Sequence, residues 1–474
     1  MPCVSSRPES GFDICALEPL FAEHLPRLAH MHDAASFAGD LAKSFSLPEE
    51  RAALLTRAAL LHDVGYAPTL RRYGYHPLDG ALFLEELGEH PWVVEGVLRH
   101  SWAGRKAGLD VDVSAHYARR PPLSDADWLV RAVTVADWRS AGVGGRVSFA
   151  RRYQDIALRN PHNPEKIRRA GIMVDEVRDM FLDWAGSLAV ERPLPWVFCD
   201  VDNTLIRPGD RLSDANKSAI RAYVDAGGAF SLATGKHPLS IAPLVRELGL
   251  STTQVAGNGS CLLGRDGITV LAELGAAAGA LVAALEGLGL PIAVYRPEGI
   301  ETGGRWPDSL DEIFEHYGEI RPSRVHQSGA ALKILCIVDG DDLRREEELR
   351  QLASELGVDC CRSDRHFLEF LPKGGNKGQA ARTVMGGAEW PVLHSLAIGD
   401  TENDEPLFAL CGACAAIGNA GEWARQGADW TVGPCTQDGV GGFLDRVRLG
   451  RGWTGLRSGR LEFFEQSDRP RKAL

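Results

Sequence analysis

From Trp196 onward, short apolar runs alternate with amphipathic helical stretches, and that alternation leaves few folds open. The runs WVFCDVD, AFSLATG and QVAGNG have the length of strands and end in polar or glycine residues, with helical spacing over Ser213–Ala226 and Pro238–Leu248 between them. This order predicts a parallel α/β sheet whose functional residues stand at the carboxyl ends of its strands. The preceding half reads differently. From Leu17 to about Val190 the apolar spacing is helical, as in RAALLTRAALLH at Arg51–His62 and WLVRAVTV at Trp128–Val135, which predicts an all-α bundle. Two prolines between Val190 and Trp196 mark the linker. The predicted division is 15–188 for the helical domain, 189–195 for the linker, 196–450 for the α/β domain and 451–474 for an Arg-rich tail or docking segment.

Net charge and cysteine usage narrow the function classes. At −12 the chain is poorly suited to coat nucleic acid or an anionic membrane, although a small anion could still meet a local cluster of bases. MPCVSSRPES has neither a basic nor an apolar leader region, and the mild apolar run Ala276–Val294 is interrupted by Glu286, so a soluble, cytoplasmic protein is expected. The ten cysteines are sparse and irregular. The lone pairs Cys411/Cys414 and Cys360/Cys361 are expected to be reduced thiols.

Four strand-end motifs carry the chemistry of the second half. WVFCDVDNTL (Trp196–Leu205) delivers Asp200 and Asp202, which as i and i+2 residues of an extended chain can share a site. Two acids so close call for a proton or a hard cation between them, and Mg²⁺ fits. SLATGK (Ser231–Lys236) offers the Thr234 hydroxyl and the Gly235 backbone to phosphate oxygens. PKGGNKG (Pro372–Gly378) sets Lys377 at a helix start, where anions are attracted. LAIGDTEND (Leu396–Asp404) ends a strand at Asp400 and brings Asn403 and Asp404.

In this order the motifs resemble the haloacid dehalogenase-like hydrolase superfamily. QVAGNG (Gln254–Gly259), LKIL (Leu332–Leu335), FLEFLP (Phe367–Pro372) and AIGNA (Ala416–Ala420) are similar to its Cof-like phosphatase subgroup. The resemblance spans about residues 195–447 and implies a Rossmann-like core with Asp200 as nucleophile and Asp202 as acid and base. It also implies Thr234 and Lys377 on the phosphoryl oxygens, and Mg²⁺ held by Asp200, the Asp202 backbone carbonyl and Asp400, with Asp404 in support. About 140 residues separate Thr234 from Lys377, room for an inserted α/β cap at about 273–368, which the resemblance also implies. Asn258, Arg296 and Arg305 are candidate substrate contacts, and Gly235 and Asn403 join Thr234 in the substrate site.

The helical half has its own constellation. Seven of the fourteen histidines fall within the first hundred residues. In LLHDVGY (Leu60–Tyr66) an adjacent His62 and Asp63 follow a helical run and meet a glycine. His76, His100 and Asp137 follow, and a further histidine precedes them. His30 shares a helix face with Ala34, Phe37, Ala38 and Leu41, whereas His32 faces Ser36, Gly39 and Asp40, so His30 is the inward one. The series resembles the HD-domain metal-dependent phosphohydrolases over about residues 15–185. That resemblance implies His30, His62, Asp63 and Asp137 as metal ligands, with His76 and His100 on a second metal or on phosphate. Imidazole with carboxylate suits Mn²⁺, Fe²⁺ or Ni²⁺. Tyr66 stands where many members of that family have a lysine, which leaves phosphate to Arg71, Arg72 or Arg105.

The expectation is therefore a bifunctional phosphohydrolase of small phosphorylated metabolites: a capped site for a phosphomonoester such as a sugar phosphate, and a helical site for a nucleotide-like ester. Two alternatives stay open for the helical site, a di-iron oxygenase and a nucleotide-binding regulatory domain.

Overall fold

The computed structural model describes residues 12–105, 110–187, 192–303, 305–324, 329–450 and 452–456. The backbone divides into two compact units, Met1–Phe181 and Leu182–Leu474. Part of the expected linker and most of the expected tail lie outside the described residues.

The first unit is built on helices Leu25–Ser44, Glu49–Leu61, His76–Glu86, Pro91–Arg99, Asp127–Trp138 and Phe149–Arg159, followed by Pro164–Ser187. Pro26, Pro77 and Pro91 sit in first turns, where no intrahelical N–H is lost. On Leu25–Ser44 the apolar face is buried together with His30, while His32 is exposed. The helix Glu49–Leu61 stops at His62, and a short 3₁₀ turn at Val64–Tyr66 carries the chain away. Gly65 allows that turn to press on the next helix, for a β-carbon there would lie 2.1 Å from the His76 carbonyl oxygen and 2.5 Å from the Gly80 nitrogen. Gly65→Ala should therefore destabilise this unit by about 2 kcal/mol or more, read as a lower urea midpoint of its unfolding.

Among the described residues the second unit has thirteen strands: β1 (Trp196–Cys199), β2 (Ala229–Leu232), β3 (Gln254–Ala256), β4 (Cys261–Gly264), β5 (Gly267–Val270), β6 (Ile292–Arg296), β7 (Gly299–Gly303), β8 (Lys333–Ile337), β9 (Asp359–Asp364), β10 (Phe367–Leu371), β11 (Ser395–Gly399), β12 (Ala413–Ala416) and β13 (Trp430–Thr431). The core sheet has the order β13-β12-β11-β1-β2, parallel throughout. Two of its inner strands, β11 at the middle and β1 beside it, pair in register from Trp196 with Ser395 to Cys199 with Ile398. Their carboxyl ends therefore deliver Asp200 and Asp400 side by side.

Between the second and third motifs the chain builds an antiparallel sheet, β7-β6-β8-β10-β9. Alternation along its strands divides the labour. Ile292, Val294, Ile334, Cys336, Leu368 and Phe370 pack with Leu281 and Leu285 of helix Ala277–Gly287 into a core of their own. Tyr295, Lys333, Leu335, Phe367 and Glu369 face the opposite way and line a cleft with Asp200 and Thr234. These elements run from Ala277 to Leu371. Just past residue 450, Trp453 is buried and donates its indole N–H to His394 Nδ1 at 2.7 Å. The nine described cysteines are all free thiols. Among the described residues no helix is long and apolar enough to cross a membrane.

Candidate active sites

Lys377, first residue of helix Lys377–Gly387, is wholly buried in the second unit. Its ammonium donates to Asp200 Oδ1 at 2.6 Å and to Asp404 Oδ1 at 2.7 Å. The other oxygen of Asp404 accepts from the backbone N–H groups of Asp400 (2.8 Å) and Thr401 (3.2 Å), so the side chain is fixed from both ends. Thr204 donates to Asp400 Oδ1 at 3.0 Å. Asn376 caps the lysine's helix by accepting from the Gln379 N–H at 2.9 Å. Gly259 lets the neighbouring turn approach that cap, since a β-carbon there would meet the Asn376 carbonyl oxygen at 2.2 Å.

Oxygens of Asp200, Asp400 and Asp404 gather within 4.8 Å of one another. Three buried carboxylates against one ammonium leave an excess of negative charge, the donor set a hard divalent cation would complete. Burial, reinforced by Asp404 and Asp202 and opposed by Lys377, pushes the Asp200 carboxyl up to about 7. Burial and then Asp200 raise Asp400 as well. For Lys377 burial works the other way, but its two carboxylates outweigh it and keep the ammonium protonated.

Asp202 lines the same cleft but stands apart from that trio. Its Oδ1 lies 3.0 Å from Lys236 Nζ, and the same ammonium donates to the carbonyl of Tyr317. The i, i+2 expectation holds only while the chain is extended, and β1 ends at Cys199 before the turn through Asn203, whose φ is +57°. Thr234, Gly235 and Asn403 line the cleft. Asn258 does not: its amide is used to accept from Asn403 Nδ2 at 3.0 Å and to donate to Glu369 Oε2 at 2.7 Å. The cap arginines are also misplaced by the sequence reading. Arg296 pairs with Glu301 at 2.8 Å, Arg305 is exposed, and neither lines the cleft. The cap presents Lys333 and Glu369 instead, both buried, with Lys333 Nζ 2.5 Å from Glu369 Oε2 and 4.1 Å from the centre of the Tyr295 ring. A charged residue within each of the runs LKIL and FLEFL was the available signal, because an unpaired charge in a buried strand is costly.

In the first unit the six expected residues converge. Asp63 lies 3.2 Å from His76 Nε2, 3.5 Å from His30 and His62 Nε2, and 3.7 Å from His100 Nε2. Asp137 Oδ1 is 3.3 Å from His30 Nε2 and 3.8 Å from His62 Nε2. Three rings have Nδ1 against a backbone carbonyl: His30 on Ala141 (2.9 Å), His62 on Ala59 (2.7 Å) and His100 on Val97 (2.7 Å). A proton on Nδ1 leaves the Nε2 lone pair free to face the cluster. Burial lowers His62, and burial with His62 and His76 lowers His100 to about 3, so both rings are neutral. Burial would raise Asp63 and Asp137, but their histidine and arginine neighbours hold both well below the usual carboxylate range. Neutral imidazoles around ionised carboxylates fit a transition metal.

The nearby bases are not the expected ones. Arg71 and Arg72 are exposed, Arg72 is paired with Glu86, and neither lines the cavity beside the cluster. The Arg105 side chain lies outside the described residues. Arg27 Nη1 instead touches Asp63 Oδ2 at 2.6 Å and lies over Tyr66, which stacks on His76 with ring centres 4.0 Å apart. Arg152 Nη2 meets Asp137 Oδ1 at 3.0 Å. Arg27 precedes His30 by one helical turn, which is the signal that reading overlooked.

Comparison with known proteins settles the family. Residues 197–444, just over half the chain, match the haloacid dehalogenase-like hydrolases. The chain belongs to that family. Residues 27–142 match the HD domain, so an HD domain precedes the haloacid dehalogenase-like unit and the chain is an enzyme, a hydrolase of phosphate esters. It is 29% identical to the HMP-PP phosphatase of Klebsiella pneumoniae over 52% of this chain and 92% of that one. To the HMP-PP phosphatase of Cronobacter sakazakii it is 27% identical, over 47% of this chain and 83% of the other. A haloacid dehalogenase-like hydrolase structure from Bacteroides thetaiotaomicron superposes with a TM-score of 0.47 at 22% identity, over 54% of this chain and 99% of that one.

Proposed function

We propose that the haloacid dehalogenase-like unit is a Mg²⁺-dependent phosphatase of small phosphomonoesters and the HD unit a second, transition-metal phosphohydrolase. The observation that carries the first assignment is Lys377 set between Asp200 and Asp404 beneath a capped cleft. Asp200 attacks phosphorus, the bond to the leaving oxygen breaks, and Asp202 gives that oxygen its proton. Water then attacks phosphorus of the acyl phosphate while Asp202 takes its proton, the bond from phosphorus to the Asp200 oxygen breaks, and free Asp200 and inorganic phosphate result. Thr234 and the Gly235 backbone hold phosphoryl oxygens, with Asn403 beside them. Lys377 keeps Asp200 aligned and offsets its charge. Mg²⁺ bound by Asp200, Asp400 and the Asp202 carbonyl, with Asp404 in support, would supply charge stabilisation at the phosphoryl group. Asn258 serves as a brace from the core to Glu369 of the cap.

For the HD unit, His30, His62, Asp63 and Asp137 would hold Mn²⁺, Fe²⁺ or Ni²⁺, and His76 and His100 a second ion or the phosphate. The adjoining cavity, about 670 Å³, is sized for a nucleotide-like ester, and Arg27, Arg152 and Lys166 stand on its wall beside the acids Asp63, Asp110, Asp137 and Glu165. Lys166, whose ammonium donates to the neutral Asn160, favours a phosphate ester over O₂ activation. Iron-dependent O₂ uptake without ester hydrolysis would reverse the choice.

The test is phosphate release from a panel of sugar phosphates, nucleotides and HMP-PP, the compound in the relatives' name, with Mg²⁺ or Mn²⁺. No release from any member would end the proposal. A pH dependence comes with it. Below about 7 Asp200 holds a proton that a cation must displace. Apparent Mg²⁺ affinity should therefore strengthen from pH 6 to pH 8, by up to about tenfold per pH unit for each proton released, measured by calorimetry.

A further inference from the structure

The cavity of the HD unit carries more cationic side chains than one ester requires. Arg27 and Arg152 stand at the ligand cluster, on Asp63 and Asp137. Arg159 follows Arg152 on the same helix, two turns or ~10 Å further on, and Lys166 lies in the first turn of the next helix. All four line the cavity.

The carboxylates close to the outer pair are already shared. Asp155 accepts from Arg159 at 2.6 Å and from Arg152 at 3.0 Å, and Glu165 accepts from Arg168 at 2.8 Å and Arg169 at 2.7 Å. Lys166 has a neutral partner, Asn160 Oδ1 at 2.8 Å, and no carboxylate among the described residues. Burial, and after it the nearness of Arg159 and Arg27, lowers its ammonium pKa. Arg152 is buried, and its Nε has no hydrogen-bond partner among the described residues. Arg152, Arg159 and Lys166 lie beyond the stretch 27–142 that matches the HD domain.

We infer that the HD cavity takes a substrate with two anionic groups, the scissile phosphate between Arg27 and Arg152 and a second phosphate or carboxylate held by Arg159 and Lys166. This rests on the reading of the unit as a phosphohydrolase, which it deepens by naming the substrate class. The outer pair sets specificity and has no part in bond breaking.

The test compares adenosine 3′,5′-bisphosphate with AMP. Their dissociation constants are measured by calorimetry on the full chain, with EDTA present to prevent hydrolysis. The bisphosphate should bind at least about tenfold more tightly, the size expected of one charge-assisted contact. Lys166→Gln should remove most of that preference, and Lys166→Arg should restore it. Equal affinities in the wild-type chain, or a preference that survives Lys166→Gln, would overturn the inference. Hydrolysis of the same two compounds with Mn²⁺, in a chain carrying Asp200→Asn, separates it from the reading beneath. Binding that depends on Lys166 without hydrolysis that depends on His62 and Asp63 leaves the two-anion site standing and removes the phosphohydrolase. Hydrolysis that depends on His62 and Asp63 without the preference overturns the two-anion site alone.

Discussion

Asp200→Asn is expected to lower phosphate release from phosphomonoesters at the haloacid dehalogenase-like site by 10³-fold or more, the order seen when a covalent nucleophile is removed. An amide has nearly the shape of the carboxylate and still offers an oxygen to Lys377, so the fold should survive. What it lacks is the negative oxygen that bonds to phosphorus. The substitution also removes one of three crowded buried acids, so thermal stability in the absence of Mg²⁺ should stay level or rise. A rapid-quench experiment with a labelled ester gives the second reading: label should stay on the wild-type chain and be missing from the variant. A variant that keeps a tenth of the wild-type rate would remove Asp200 from the chemistry.

The double substitution His62→Ala and Asp63→Ala should abolish the second activity and leave the first. Asp63 is the hub of its cluster, within 3.7 Å of four imidazoles and bonded to Arg27. Losing one ligand alone costs a metal site more than the 10–100-fold in affinity typical of an outer-shell change. After loading with Mn²⁺ and desalting, elemental analysis should show at least one equivalent less metal per chain. Hydrolysis of nucleotide-like esters should fall to background. An unchanged metal content would mean that these residues are not ligands.

The acids of the α/β half were legible because a strand followed by a loop leaves its signature within a few residues. Asp200 and Asp400 could each be placed at a strand end, and the pairing of β1 with β11 then brings them together. Helical periodicity likewise decided for His30 over His32. The sequence was silent where partners meet across register or between helices. Lys333 and Glu369 are 36 residues apart and meet because β8 and β10 pair with Leu335 opposite Glu369, which sets the lysine on the diagonal. Arg71 and Arg72 look well placed because they follow Tyr66 closely, but the loop turns both outward. Arg152, 89 residues after Asp63, reaches the cluster from a helix whose direction no local pattern reveals.

The cap's alternating strands bear on how a new substrate could be acquired. Residues that hold the cap together and residues that face the cleft occupy different positions on the same strands, so a change such as Leu335 or Phe367 to another side chain can reshape the cleft wall without entering the cap's core. Lys333 and Glu369 do not share that freedom. Replacing either alone strands the other as a buried charge, a loss of several kcal/mol. A descendant of this enzyme could vary its cleft wall one residue at a time, but it would have to exchange this pair together.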